Sequence, residues 1–390
     1  MSEQNRTAVF VHGFLGWGER DGLYAALPYW GLTAGDALAP LRAAGYDCRT
    51  ASVGSLSSAW DRACELYAQL NGGRADYGVA HAESYHHARF GVAYAQPLVG
   101  AWQDKSIDLI GHSFGGATVR LFLDILDRGR PEEIEAAKAA GTVPSPFFLG
   151  GQAGCIHSVT TVAAPHNGTT LTSCCGSLTG LIMMLFTGGA KTWGVSELKN
   201  EYDFKLDQFG IRREPGESVT DTLSRTLSAE FLHSGDHALR DLSIDGAAAL
   251  NGQLGALPGV YYFSYPCCRT HLGLLSYRQW PDAKMTPLFT HYGFRMGRWY
   301  DQRTPGGHFV GKDWLPNDGL VNTISATYPV NEPFCLYSAS APVAPGVWNV
   351  MPVRHLDHFA VIGGVFNADR AETQNFFVEL LQNIDKTYSK

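Results

Sequence analysis

The 390-residue sequence has no excess of basic charge: 30 Lys and Arg face 37 Asp and Glu, a formal net charge of −7. A protein that grips a phosphate backbone needs the opposite balance, so no nucleic-acid partner is expected. No apolar run approaches the ~20 residues of a membrane span. The longest, Leu178 to Phe186, has nine residues. The start, MSEQNRTAVF, lacks a signal peptide's apolar stretch and passes at once into a strand-like run. The expectation is that a leader was trimmed ahead of it. No Cys-x-x-Cys occurs among the eight cysteines, which argues against a thiolate zinc site and thioredoxin chemistry. Spread over so long a chain, eight cysteines do not form a disulfide framework. The vicinal pairs Cys174-Cys175 and Cys267-Cys268 carry no role legible from sequence. There is no internal repeat and no low-complexity linker.

What is present is ample core material, 45% hydrophobic against 17% charged residues. Residues 7–12 (TAVFVH) read as a buried strand. A helix at 37–44 and a strand near 46–53 follow, then a helical pattern at 59–70. Strand 107–110 leads into helix 116–128, closed by Gly129 and Pro131. A short helix at 132–140 precedes strand 156–163, and 258–264 and 347–353 read as later strands. Strands alternating with helices predict an α/β fold with a mostly parallel sheet. The interval 165–255 is poor in strands and is expected to decorate the core. One catalytic domain with insertions, covering 1–390, is favoured over separate domains.

Between strand 107–110 and helix 116–128 lies Gly111-His112-Ser113-Phe114-Gly115. A serine on a sharp strand-to-helix turn is held in a strained conformation, and only small residues two positions either side avoid a clash. The turn lifts the hydroxyl off the sheet, while the helix N-terminus sets backbone N–H groups beneath developing negative charge. Such a nucleophile needs a base and an orienting acid, in the chain order Ser, Asp, His. The late histidines are His271, His291, His308, His355 and His358. The late aspartates include Asp282, Asp301, Asp313, Asp318 and Asp357. His358 follows a strand and precedes an apolar run, which suits a loop at the sheet edge. Asp318 lies in the Asn-Asp-Gly turn 317–319. Asp357 is disfavoured because adjacent side chains diverge. A second oxyanion donor is expected from FVHGFLGWG (10–18), giving the backbone N–H groups of Phe14 and Phe114 as the pair.

Residues 60–91 hold Asp61, His81, His86 and His87. Imidazole nitrogen and carboxylate oxygen suit zinc, although no zinc-finger spacing occurs.

The segments HGFLGWG, WDRACELYAQL, AHAESYHHARFG, TTVAAPHNGTTL, YDFKLDQFG, DLSIDGAAALN, NDGLVN and LDHFAVIG resemble those of the thermoalkalophilic bacterial lipases of Bacillus and Geobacillus type, subfamily I.5. Staphylococcal lipases are more distant relatives. The matches run in order from residue 7 to about 370 and are weakest between 256 and 310. The resemblance implies an α/β-hydrolase fold, with a zinc-binding insertion and a helical lid, and ester hydrolysis through Ser113, Asp318 and His358. It also implies a structural zinc held by Asp61, His81, His87 and Asp241, in regions 59–91 and about 208–255. His86 stands where relatives have a small residue and is a neighbour, not a ligand. Three departures are visible. Relatives read Ala-His-Ser-Gln-Gly around the serine, where this chain has Gly111 and Phe114. Their calcium site beside the histidine uses carboxylates where this chain has Ala360 and Val365, so that calcium site is not expected. The segment between TTL and YDFKLDQFG is more apolar than the relatives' lid helix.

An acyl pocket is apolar and sticky if left open to water. Region 170–206 is the expected cover. Leu178, Leu181, Ile182, Leu185 and Phe186 form a helical stripe, flanked by Gly176, Gly180, Gly188 and Gly189 as hinges. A core helix would carry the same periodicity. The leading expectation is a triacylglycerol lipase or carboxylesterase acting at a lipid–water interface, as a monomer or weak oligomer. The rivals are an esterase or polyester hydrolase preferring short-chain or synthetic esters, and a non-catalytic lipid-binding protein on the same fold.

Overall fold

Ala8 and Phe10 pack into one hydrophobic cluster, Val9 and Val11 into another, and all four are buried. A strand covered on both faces belongs inside a parallel sheet, which explains why TAVFV reads as a continuous apolar run. In the computed structural model, which describes residues 5–192, 202–228, 231–274, 276–364 and 368–388, this strand is next to the edge strand of a seven-stranded sheet. The strands are β1 (Arg6–Val11), β2 (Asp47–Ala51), β3 (Ser106–His112), β4 (Ile156–Val162), β5 (Tyr261–Tyr265), β6 (Phe334–Leu336) and β7 (Trp348–Val350). Their order across the sheet is β6-β7-β5-β4-β3-β1-β2, with every pairing parallel.

Parallel strands place all their C-terminal ends on one edge, so the loops that follow them converge there. One face of the sheet is covered by α1 (Ala59–Asn71) and α2 (Gly115–Arg128), the other by α3 (Arg370–Tyr388) and the chain around Trp30. Ser58 caps α1 by accepting from the Asp61 N–H, the reason the helix begins there. Among the described residues no strand occurs between Val162 and Tyr261. That interval is helical, including the helix Leu178–Thr192, as its composition implied.

Two parts of the sheet escape the sequence pattern. Strand β6 is a three-residue edge strand with exposed side chains, so it has no apolar signature. The hairpin Thr270–Leu272 with Gln279–Pro281 and the helix Pro287–Met296 fill a stretch that the sequence left unassigned.

The glycines proposed as hinges need correcting. Gly176 precedes the helix Leu178–Thr192, but Gly180, Gly188 and Gly189 lie within it. At Gly188 the helix passes close to Leu288, whose Cδ1 would lie 2.4 Å from an added Cβ. Of the lid stripe, Leu181, Ile182, Leu185 and Phe186 are buried. The side chain of Leu178, and residues 193–201 of the lid region, lie outside the described residues.

Candidate active site

β3 ends at His112 and α2 begins at Gly115, leaving a turn at Ser113 with φ of 55°. That left-handed angle is costly for a residue with a side chain and persists because the surroundings impose it. A Cβ on Gly111 would lie 2.5 Å from the Gly115 backbone, and one on Gly115 would lie 2.2 Å from the Val11 carbonyl oxygen. The two glycines therefore allow β1 and α2 to close around the serine.

Ser113 Oγ lies 2.8 Å from His358 Nε2, and His358 Nδ1 lies 2.8 Å from Asp318 Oδ2. All three residues are buried. Asp318 Oδ1 accepts the N–H groups of Leu320 (3.0 Å) and Val321 (2.7 Å), which fixes the carboxylate without a counter-cation. Asp357 turns away from this line. Its carboxylate accepts from the Thr286 N–H and hydroxyl and from the N–H groups of Phe359 and Ala360, pinning the loop that carries His358. Ala360, a calcium-site position in the resembling family, thus serves that turn; Val365 lies outside the described residues.

The N–H groups of Phe14 and Phe114 have no protein acceptor among the described hydrogen bonds. Both residues border the serine, Phe14 in the wall of an apolar cleft and Phe114 as its neighbour in the chain. A hydrogen-bonded line that sequence reasoning missed holds the turn at Gly13. The Gly13 N–H donates to the Tyr29 hydroxyl (2.9 Å), which lies 2.7 Å from His112 Nδ1. His112 Nε2 lies 3.0 Å from the His358 carbonyl oxygen. Burial pushes His112 well below the usual imidazole range, with the nearby His358 adding to it. It stays neutral, so the Tyr29 hydroxyl donates to Nδ1 and the Nε2–H donates to His358. Arg62 supports the turn from the other side, donating to the carbonyl oxygens of His12 and Gly54 while its guanidinium lies 5.0 Å from the Phe114 ring centre. Burial brings this arginine down to about 10. The Trp-Asp-Arg string held this residue, yet nothing local marks it as facing the serine.

The cleft over Ser113 is lined by Phe14, Leu15, Trp17, Tyr29, Leu320 and Phe359, and is roofed by Leu185 and Phe186 of the helix Leu178–Thr192.

On the far side of Arg62, Asp61 meets His81, His87 and Asp236, all within 4.8 Å of one another. His81 Nε2 lies 3.3 Å from Asp61 Oδ1 and 3.1 Å from Asp236 Oδ2; His87 Nε2 lies 3.2 Å from Asp236 Oδ2. The structure corrects the fourth ligand expected from sequence. Asp241 lies outside this cluster, with its Oδ2 accepting from the Ala59 N–H at 2.7 Å, where it caps the N-terminus of α1. Asp236, five residues earlier, takes its place. His86 is exposed in a left-handed helix-ending conformation and stays out of the cluster.

The donor set fits a divalent metal. Asp61 Oδ1 and His87 Nε2 are buried without a hydrogen-bond partner. Gln208 donates to the other Asp61 oxygen (2.6 Å), and His87 Nδ1 is tied to the Ala88 carbonyl (2.9 Å), leaving Nε2 free to ligate. Trp60 stacks on His81 with ring centres 4.9 Å apart. Burial and the charge of Asp236 raise the Asp61 carboxyl. Burial alone would lower His81, but its contacts with Asp236 and Asp61 push it up to about 9. A divalent cation would balance the same carboxylates while occupying the lone pairs that now lack a donor.

A parallel sheet carrying a strained serine, a histidine and an aspartate on one edge defines an α/β-hydrolase fold. The model of the family described as lipase-like, C-terminal domain matches residues 4–389. Lipase 2 of Staphylococcus aureus is 34% identical over 386 residues, covering 96% of this chain and 53% of that protein. The chain thus spans about half the length of the curated relatives it matches. Among solved structures, Staphylococcus hyicus lipase is 34% identical with a TM-score of 0.82, covering 99% of this chain and 97% of that one. EstA from Clostridium botulinum is 36% identical with a TM-score of 0.85, covering 96% and 86%. Lipase 1 from Pelosinus fermentans is 36% identical with a TM-score of 0.83, covering 97% and 98%. The chain belongs to the lipase family.

Proposed function

We propose that this chain hydrolyses carboxylic esters of lipids through an acyl-enzyme on Ser113. The observation that carries the reading is the hydrogen-bonded line from Ser113 through His358 to Asp318. His358 Nε2 takes the hydroxyl proton as Ser113 Oγ attacks the ester carbonyl. Asp318 holds Nδ1–H and stabilises the imidazolium. The free N–H groups of Phe14 and Phe114 receive the oxyanion. His358 then returns the proton to the leaving alcohol, and water, activated by the same histidine, releases the acid. The apolar cleft takes the acyl chain, and the helix Leu178–Thr192 acts as the lid that closes it in water.

Asp61, His81, His87 and Asp236 hold a zinc ion. With four protein ligands its coordination would be closed, so the ion would supply structural cross-linking and no chemistry. No calcium is assigned, because Ala360 and Val365 bring no carboxylate. Secretion fits an enzyme whose substrate is an external lipid surface.

The test compares turnover of p-nitrophenyl esters from short to long acyl chains with turnover of a triglyceride emulsion. A lid predicts a jump in rate as triglyceride passes from dissolved to emulsified. Leu181→Asp with Leu185→Asp should depress emulsion activity far more than activity on a dissolved short ester. Equal losses on both, with a large fall in melting temperature, would identify the helix as fixed core.

A further inference from the structure

Five residues past the C-terminal end of β5 the chain forms the hairpin Thr270–Leu272 and Gln279–Pro281, so the hairpin rises from the same sheet edge as Ser113 and His358. Its base is fastened to the loop of the catalytic acid. The Arg269 N–H donates to the Asn317 carbonyl at 2.9 Å, and the Asn317 N–H donates to Thr270 Oγ1 at 3.1 Å. The following helix, Pro287–Met296, ties the hairpin to the rest of the site. Phe294 meets Trp280 edge-on with ring centres 5.3 Å apart, Phe289 packs on Phe359 at 5.0 Å, and Leu288 abuts the lid helix at Gly188.

This hairpin breaks the usual rule for a small surface ribbon. Leu272 is 62% exposed, Leu274 97% and Tyr277 66%, with Trp280 and Phe294 also in the exposed class. Large apolar side chains gathered at one projection mark a binding surface. The charges around them narrow the partner. Residues 266–315 carry seven Lys and Arg against three Asp, in a chain whose net charge is −7. Lys312 Nζ lies 4.0 Å from the Tyr277 ring centre, and the Arg298 guanidinium lies 4.2 Å from that of Trp280. Arg278 and Lys312 are exposed and make none of the described ion pairs, while Arg298 is half-buried and donates to the Gln279 and Phe294 carbonyls, which holds its charge beside the Trp280 ring. Leucines at the tip, with tyrosine and tryptophan behind them and cations alongside, match the chemistry of an anionic lipid–water interface: tails, then glycerol level, then headgroups.

We propose that the hairpin strands Thr270–Leu272 and Gln279–Pro281, with Leu274 and Tyr277, form an interfacial anchor that inserts into an anionic lipid surface and holds the lid side of the cleft against it. The inference rests on the lipase reading and gives that site a docking element separate from its lid.

Binding is measured on the Ser113→Ala chain, which leaves lipid intact, by co-sedimentation with vesicles. One set is phosphatidylcholine alone, the other phosphatidylcholine mixed with phosphatidylglycerol. The mixed vesicles should bind more tightly, by roughly fivefold for each cation that reaches the surface. Leu272→Glu with Leu274→Glu should weaken partition roughly tenfold or more, and Arg278→Glu should remove part of the preference for the mixed vesicles. In the active protein, Leu272→Glu with Leu274→Glu should leave p-nitrophenyl butyrate turnover unchanged. That also shows the variant is folded, since both side chains already face water. Equal vesicle binding by the double variant and its parent would overturn the proposal. So would a double variant whose only change is the loss of a dimer on size-exclusion chromatography, which would make the tip a contact between copies. Failure of the function reading looks different: no ester turnover by the unmodified protein, whatever the vesicles show.

Discussion

Two buried polar centres share the helix α1, one reached by Asp61 and the other by Arg62. At the serine, the hydrogen-bonded line is closed within the protein: Ser113 to His358, His358 to Asp318, and Asp318 to two backbone N–H groups. Around Asp61 it is not. Two carboxylates face two imidazoles, and Asp61 Oδ1 and His87 Nε2, though within ion-pairing distance of His81 and Asp236, have no hydrogen-bond partner. The first arrangement can pass a proton back and forth with no added group, because each atom already has its donor or acceptor. In the second, a bound cation would supply the positive charge that a protonated His81 otherwise brings to the two carboxylates. Unsatisfied atoms clustered as here are what a ligand would complete, while full satisfaction is what a preorganised site needs.

The contrast can be broken first at the serine. Ser113→Ala should cost about a millionfold in kcat, with His358→Ala close behind. Asp318→Asn should cost about ten-thousandfold, since the acid orients the base and does not itself carry the proton. A comparable loss of rate in Asp357→Asn would contradict the assignment, because that carboxylate only holds the loop.

At the metal cluster the loss should fall on stability and leave the chemical step alone. Asp236→Asn, or chelation, should remove zinc from the purified protein and lower the melting temperature by on the order of 10 °C. Initial ester turnover in the cold should be spared. Asp241→Asn should keep the metal. Burial pushes the Asp241 carboxyl up to about 7, so an amide is a near stand-in for it as a cap, and the cost should stay within about 1 kcal/mol. Loss of zinc from Asp241→Asn with retention in Asp236→Asn would reverse the assignment.

The smallest expected effect concerns the line that joins the Gly13 turn to the histidine. Tyr29→Phe leaves the Gly13 N–H and His112 Nδ1 without a partner. It should lower kcat roughly tenfold, with KM almost unchanged, because the turn positions an oxyanion donor and not the bound substrate. A variant with normal kcat and a lower melting temperature would reduce Tyr29 to a packing role.

What the sequence revealed follows the range of the forces involved. The serine turn was legible because the sterics between Gly111, Ser113 and Gly115 are local. β1 was legible because burial on both faces writes a continuous apolar run, and β3 and β4 because Ile107, Leu109 and Ile110, and Ile156, Val159 and Val162, keep enough of one despite buried polar neighbours. The hairpin and β6 were not, since their side chains are exposed and leave no pattern. The fourth member of the candidate metal cluster was misplaced because Asp241 was carried over with the family-like DLSIDGAAALN segment. Asp236 and His81 are 155 residues apart, and packing, not spacing, decides which nearby aspartate turns inward. Arg62 and Tyr29 stayed hidden likewise, each an ordinary residue until the fold brings it to the Gly13 turn.

The central claim, that Ser113 is a nucleophile activated by His358, is tested most directly by fluorophosphonate labelling followed by peptide mapping. One labelled residue, Ser113, is expected in the unmodified protein, with labelling slowed by orders of magnitude in folded His358→Ala. A folded, unmodified protein that leaves Ser113 unlabelled, or labels it equally fast without His358, would contradict it.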